Sequence, residues 1–324
     1  MDLSNKASNL RKRLGEDGES PVDIFKLVQK IENFTLVFYP LGTNISGVCY
    51  KGETSNVIAI NSDMSVGRQR FSLAHELYHL YFDDSTINAV SPIMIGSGDE
   101  NEKKADQFAS YFLIPASSLY DMVEDIKENE NRKDLTVEDV IRIEQYYGVS
   151  HKAMIYRLLN EGYLKSEQIK DMEVGIIETA AKLGYDITLY RPSPENKKSI
   201  VLGSYITSSE KLLEKEIISQ GKYEGLLLDA FRDDIVCGID GERRCLLTDS
   251  IFFDTDCICA FLWINEESLL EKMFPGKIVI PKEVYNEIDR PTISHLKTRI
   301  DQLIANGSVI VMSMDISSEE YALL

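Results

Sequence analysis

Two histidines and a glutamate lie close together in the segment RFSLAHELYHLYF, residues 70–82, as His75, Glu76 and His79. Residues four positions apart share one face of a helix, so both imidazoles can reach the same metal ion. Glu76 is then expected on the open side of that ion, where its carboxylate can take a proton from bound water. This spacing is typical of a zinc-dependent peptidase.

The same spacing also occurs on exposed helices that bind no metal, and this is the alternative interpretation. The residues around the motif argue against such a helix because they are apolar, and two of the four histidines of the chain fall within the motif. The apolar neighbours are Phe71, Ala74, Leu77, Tyr78 and Tyr81. We therefore favour a metal site.

A catalytic zinc site needs a third protein ligand, and the segment NEKKADQF, residues 101–108, offers one. Glu102 and Asp106 lie one turn apart on the same face of a predicted helix. Glu102 can bind the metal while Asp106 accepts a hydrogen bond from the second nitrogen of a ligating histidine, for which we expect His75. Two alternatives stay open: an acidic cluster favoured only by the helix dipole, and a purely structural zinc site with a fourth protein ligand.

The segment RFSLAHELYHLYF, followed by NEKKADQFASYFLIP, resembles the ImmA/IrrE family of metallopeptidases over about residues 20–165. The resemblance implies one zinc ion per chain, with His75, His79 and Glu102 as ligands and Glu76 as the general base. It also implies a protein substrate, namely a cytoplasmic helix-turn-helix repressor or an antitoxin. Because manganese or iron can also occupy two histidines and one carboxylate, the identity of the ion stays open.

The elements that must position these residues are legible in the apolar pattern. Three runs rich in Val, Ile, Phe and Tyr, at 34–39, 47–51 and 56–61, predict a small three-stranded sheet. Helices are expected at about 67–82 and 101–113, the first with the histidines and the second with the acids. A small sheet followed by helices indicates an α+β fold. A helix opened by Pro21 and strands at 187–190 and 199–202 are also expected.

Residues 136–165 resemble a helix-turn-helix, with Val149 and Ser150 at the turn. One interpretation is DNA contact through Lys152 and Arg157. The other is a helical hairpin that packs on the peptidase domain. We favour packing because two cations stand against a formal net charge of −18.

Residues 246–324 show an alternating β-α-β-α pattern, which is typical of a parallel sheet. The segment resembles the first half of a PIN domain, a metal-dependent ribonuclease fold. That resemblance implies Asp254 and Glu287 as carboxylates for Mg²⁺ or Mn²⁺, and the later acids of the fold are absent. A PIN-type ribonuclease with an N-terminal sensor is therefore our alternative function, and a small α/β domain whose Asp254 caps a helix is equally compatible.

Composition sets the remaining expectations. The charge of −18 and a pI near 4.7 repel phosphate backbones, so nucleic acid is disfavoured as a partner of the peptidase part. No apolar run of about 18 residues occurs, and the polar first twenty residues lack the core of a signal peptide. With an odd count of five cysteines, we expect reduced thiols and a cytoplasmic location. The expected divisions are a metallopeptidase domain at 1–165, a helical extension at 166–245 and the PIN-like segment at 246–324.

Overall fold

The computed structural model describes residues 2–83, 88–237, 251–253, 255, 258–259, 262, 278–288 and 296–312. The chain divides into two units, Met1–Arg232 and Asp233–Leu324, and each unit has its own hydrophobic core. Among the described residues, none of the helices combines the length and the apolar character needed to cross a bilayer.

The first unit contains a five-stranded mixed sheet in the order β4-β2-β3-β1-β5. Strand β1 runs parallel to β3, and the other neighbours are antiparallel. The expectation of three strands is therefore wrong by two. The fourth strand has the sequence NAVSP, which lacks a clear strand pattern. The fifth is the strand expected at 199–202, which comes from much later in the chain and was not expected to join this sheet. The strands are β1 Phe34–Tyr39, β2 Ile45–Lys51, β3 Asn56–Asn61, β4 Asn88–Pro92 and β5 Ile200–Gly203.

Eleven helices of the first unit surround this sheet in the described residues. They are α1 Leu3–Arg13, α2 Ile24–Leu27, α3 Val66–Phe82, α4 Glu100–Leu113, α5 Ala116–Asn129, α6 Val137–Tyr147, α7 His151–Asn160, α8 Ile169–Met172, α9 Ile176–Lys182, α10 Ser204–Glu214 and α11 Gln220–Asp229. The two helices predicted to carry the chemistry, α3 and α4, begin within one residue of their expected starts.

Alternation along the strands determines which side of the sheet faces the core. Leu36, Cys49, Ile58 and Ile60 are buried in the core together with residues of α3. Cys49 pairs directly with Ile58 across β2 and β3, so their side chains lie on the same face. The buried face of the sheet thus supports the helix that holds the two histidines.

Two local predictions were wrong. The helix expected to open at Pro21 begins at Ile24, since the residue before it, Asp23, has a non-helical backbone with φ −82° and ψ 85°. The carbonyl of Val22 accepts a hydrogen bond from Arg70 at 2.5 Å. The strand expected at 187–190 is a 3₁₀ helix, Ile187–Tyr190. It is capped by the side chain of Asp186, which accepts from the backbone N–H of Thr188 at 2.8 Å.

The predicted helix-turn-helix segment is present as the hairpin of α6 and α7, each capped by a hydroxyl side chain. Arg157 is only 1% exposed, and its guanidinium stacks over the ring of Tyr111 at 4.1 Å. Its Nη1 also donates to Glu161 at 2.6 Å. Arg157 is therefore part of the interior and is not available to contact DNA, whereas Lys152 is exposed.

The second unit contains a three-stranded sheet in the order β6-β7-β8, which is parallel throughout as the sequence pattern predicts. The strands are β6 Ile251–Phe252, β7 Ile278–Pro281 and β8 Val309–Met312. Helices Lys282–Ile288 and Lys297–Ala305 follow β7 and precede β8, respectively. Asp254 lies outside the described residues, while Glu287 accepts a hydrogen bond from the Thr255 hydroxyl at 2.5 Å. The nuclease interpretation stays a prediction.

The thiols differ from expectation in one respect. Cys49 and Cys259 are free and buried, but Cys237 is disulfide-bonded. The expectation that all the thiols of the chain are reduced is therefore wrong.

Candidate metal centre

His75, His79 and Glu102 each place a possible ligand atom within 4.8 Å of the others. Nε2 of His75 lies 3.2 Å from Nε2 of His79 and 3.0 Å from Oε2 of Glu102. Nε2 of His79 lies 3.3 Å from Oε1 of Glu102. Two imidazole nitrogens and one carboxylate that converge in this way form the donor set of a divalent transition-metal site.

The meeting of these donors depends on how α4 packs against α3. Aromatic side chains join the two helices, because the ring of Phe108 contacts Phe82 at 5.3 Å and Tyr78 at 5.7 Å between centroids. The start of α4 is set by Asp99, whose Oδ1 accepts from the backbone N–H of Glu102 at 3.0 Å. The carboxylate of Glu102 is therefore presented to the histidines from the first turn of a capped helix.

Asp106 holds His75 as the sequence suggests. Its Oδ1 lies 2.8 Å from Nδ1 of His75, and its Oδ2 accepts from the backbone N–H of Gly96 at 2.5 Å. With the proton of His75 on Nδ1, the lone pair of Nε2 faces the other donors. A carboxylate in this position orients a ligating histidine and increases its basicity.

His79 has an equivalent partner that the sequence interpretation missed. Oδ2 of Asp83 lies 3.0 Å from Nδ1 of His79 and also accepts from the side-chain amide of Asn101 at 2.6 Å. Asp83 follows the last residue of α3 and comes four positions after His79. The sequence contained a signal for this contact. Asp83 comes four positions after His79, and the same spacing had already been used to place Glu102 and Asp106 on one helical face.

Glu76 points away from solvent into the same region. It is 0% exposed, and no described residue donates a well-formed hydrogen bond to either carboxylate oxygen, although the Ser91 hydroxyl is close enough to oppose the rise in the pKa of Glu76. A buried carboxylate without partners is costly unless it interacts with something else, such as a water molecule or an ion. This is the behaviour expected of a group that accepts a proton beside a metal ion.

The electrostatics of the metal-free protein match a cation site. Burial favours neutral His75, yet its hydrogen bonds to Asp106 and Glu102 prevail and raise the pKa of His75 to about 9. Burial also opposes ionised Glu102, but hydrogen bonds to His75 and His79 lower the pKa of Glu102 to about 2. Burial raises the pKa of Glu76 above its ordinary value. Acidic groups around two imidazoles thus attract positive charge, which a divalent ion can supply in place of protons.

The structure therefore brings His75, Glu76, His79, Glu102 and Asp106 together in one site of the first unit. Glu287 lies in the second unit, and Asp254 is outside the described residues. Among the described residues, this histidine–glutamate triad is the group with metal-ligand geometry. The residues fit the metal that the motif implies.

Residues 35–159 match the family model of the IrrE N-terminal-like domain, peptidase family M78. No curated protein matches the chain. The matched range contains all five residues of the site and supports a metallopeptidase-like domain related to the ImmA/IrrE family.

Proposed function

We propose that the first unit is a zinc-dependent endopeptidase that cleaves a cytoplasmic helix-turn-helix repressor or an antitoxin. One observation carries the proposal. Three side chains with possible ligand atoms, His75, His79 and Glu102, converge beside the buried carboxylate of Glu76, which accepts no well-formed hydrogen bond from the described residues. The substrate class is supported by similarity to the ImmA/IrrE family and is tested separately below.

Each side chain has a definite task in this proposal. His75 and His79 would hold the ion through Nε2, and Glu102 would hold it through its carboxylate. When bound, zinc acts as a Lewis acid that polarises the scissile carbonyl and acidifies a water molecule. Glu76 accepts the proton of the attacking water on a carboxylate oxygen and later returns it to the leaving amine. Because burial raises the pKa of Glu76, this carboxylate is a stronger base than an exposed glutamate.

A catalytic role is favoured over a structural one by the number of protein donors. In the described part of the chain, three residues meet the ligand criteria, as in catalytic zinc sites, whereas structural sites have four. Glu76 adds a buried base that a structural site does not need.

Charge supports a basic protein as substrate. A net charge of −18 repels DNA but attracts proteins with the cationic surfaces that DNA-binding domains carry. Complementary charge speeds encounter and disfavours acidic partners. The substrate of this acidic peptidase is therefore expected to be a nucleic-acid-binding regulator, recognised as a protein and not through its DNA.

The test uses this chain, its Glu76→Gln variant and a purified helix-turn-helix regulator. We expect about one zinc per chain in both proteins by elemental analysis, and cleavage of the regulator by the natural sequence alone. Mass spectrometry of the fragments locates the cut. Equal cleavage by Glu76→Gln, or the absence of metal from the natural protein, would contradict the proposed mechanism. Zinc binding without cleavage of this regulator would reject the substrate and leave the metal centre intact.

A further inference from the structure

Asp83 and Asn101 connect the end of α3 to the start of α4 at the metal centre. Asp83 is 4% exposed, and its Oδ2 receives two hydrogen bonds, one from Nδ1 of His79 and one from Nδ2 of Asn101. The bond from Asn101 measures 2.6 Å. One buried oxygen thus holds groups from both helices.

Asn101 is itself held on two further sides. Its backbone N–H donates to the capping oxygen of Asp99 at 2.8 Å, beside the equivalent bond from Glu102. Its side-chain oxygen accepts from the hydroxyl of Tyr78 at 3.2 Å. Because Asn101 and Glu102 are consecutive, a shift of Asn101 also shifts the third metal ligand. Asp83 is therefore linked to two of the three ligands.

We propose that Asp83 is a positioning residue of the metal centre and that it acts together with Asn101. Asp83 keeps the proton of His79 on Nδ1, so that the Nε2 lone pair faces the ion. Through Asn101 it also fixes the first turn of α4, from which Glu102 reaches the site. His75 and His79 thus each have a carboxylate partner, Asp106 from α4 and Asp83 from the end of α3. This inference rests on the metal site of the proposed function.

The proposal predicts a graded loss of metal affinity. Removal of a group that orients a ligating histidine costs roughly 10- to 100-fold in affinity. Asp83→Ala loses both hydrogen bonds and should bind zinc about 10- to 100-fold more weakly. Asp83→Asn keeps an oxygen that can accept both bonds but loses the charge. Its zinc affinity should therefore lie between those of the natural protein and Asp83→Ala. Asn101→Ala, which breaks only the link to α4, should also weaken binding.

The experiment is a titration of the metal-free natural protein and its variants with zinc in competition with a chromophoric chelator. The matched control is Asp125→Asn, which makes the same chemical change on the exposed part of α5 and should bind zinc as the natural sequence does. Thermal midpoints of the metal-free proteins show whether each variant is folded. If Asp83→Ala does not fold, Asp83→Asn and Asn101→Ala decide the question.

A spectroscopic measurement separates positioning from general stabilisation. Cobalt(II) in place of zinc has visible absorption bands that depend on ligand geometry. We expect altered bands in Asp83→Asn even where its thermal midpoint is unchanged. Unchanged affinity and unchanged bands in all folded variants would overturn the positioning role alone. Failure of the natural protein to bind zinc would overturn the proposed metal centre, and the positioning role with it.

Discussion

The backbone of Gly47 in β2 lies directly against the carboxylate of Glu76 in α3. A Cβ atom at position 47 would lie 2.5 Å from Oε1 of Glu76 and 3.1 Å from its Cδ. The 2.5 Å distance is shorter than carbon–oxygen contacts in proteins permit, and the 3.1 Å distance is tight, so only glycine leaves room for the carboxylate as it stands. Strand β2 therefore forms one wall of the site of Glu76, the proposed general base.

Gly47→Ala should reduce turnover while the protein keeps its metal. The end of the Glu76 side chain is flexible, so the added methyl group displaces it from the wall without unfolding the strand. Since a general base contributes about 10²- to 10⁴-fold to the rate, we expect a loss on the order of 100-fold in kcat. Peptidase assays with parallel zinc analysis measure both effects. The control is Gly225→Ala in α11, where no atom lies within 4 Å of the added methyl. If Gly47→Ala keeps the turnover of the natural protein, catalysis does not require the Glu76 carboxylate to lie where the structure places it.

Removal of the ion should destabilise the first unit. An ion that binds the folded state at about 100 times its Kd adds about 2.7 kcal/mol to the free energy of unfolding. For a unit of this size, that corresponds to a decrease of about 5–10 °C in Tm when a chelator is added. Calorimetry with and without chelator measures the shift. The double variant His75→Ala, Glu102→Ala should show none, and an equal shift in that variant would place the stabilising ion elsewhere.

Arg157 should matter more for packing than for its ion pair with Glu161. Its guanidinium is buried over Tyr111, and Nε and Nη2 have no hydrogen-bond partner among the described residues. Arg157→Ala removes the stem and the ring contact, and it should lower the free energy of unfolding by roughly 2–3 kcal/mol. Arg157→Met keeps most of the packing and should cost much less.

Urea denaturation measures these differences in stability. Lys152→Ala, on the same helix but exposed, is the control and should change stability by less than about 0.5 kcal/mol. DNA binding should be absent in the natural protein and in all three variants. A DNA affinity that falls in Arg157→Met or Lys152→Ala would restore the helix-turn-helix interpretation.

Asp17 should make stability depend on pH in the acid range. Its Oδ1 accepts from the backbone N–H groups of Ser20 at 2.6 Å and Glu19 at 2.7 Å, and these bonds lower the pKa of Asp17 to about 2. A carboxyl whose pKa is depressed by folding contributes stability above its unfolded value of 3.8, and this contribution is lost as the pH falls towards 2.

The natural protein should therefore be more stable than Asp17→Ala at pH 5–7, and the difference should narrow below a pH of about 3.8. Denaturant titrations over this range measure it. Asp17→Asn keeps an acceptor but does not titrate. Its free energy of unfolding should therefore fall less in acid than that of the natural protein, because no carboxyl at position 17 becomes protonated. A difference between the natural protein and Asp17→Ala that is constant with pH would show that the turn bonds do not require the ionised form.

The two halves of the metal centre could be predicted because each lies within one helix. Positions three or four apart share a helical face, so the spacing of His75 with His79 and of Glu102 with Asp106 already determines which side chains can act together. The apolar pattern likewise places α3 and α4 within one residue of their observed starts. These are local properties, and they do not depend on the rest of the fold.

The other features of the fold and of the site depend on contacts between distant segments, and a local sequence pattern does not predict such contacts. Strand β5 pairs with β1 late in the chain, where the hydroxyls of Thr35 and Ser204 meet at 3.0 Å. In the sequence, Asp83 is one acidic residue after a helix, and only the structure shows that Asn101 of α4 donates a hydrogen bond to it. In the sequence, Gly47 is an ordinary glycine of a strand, and only the structure shows that the carboxylate of Glu76 lies against it. Tertiary packing alone determined these partners, because the energy of each contact depends on where other elements of the fold place its second member.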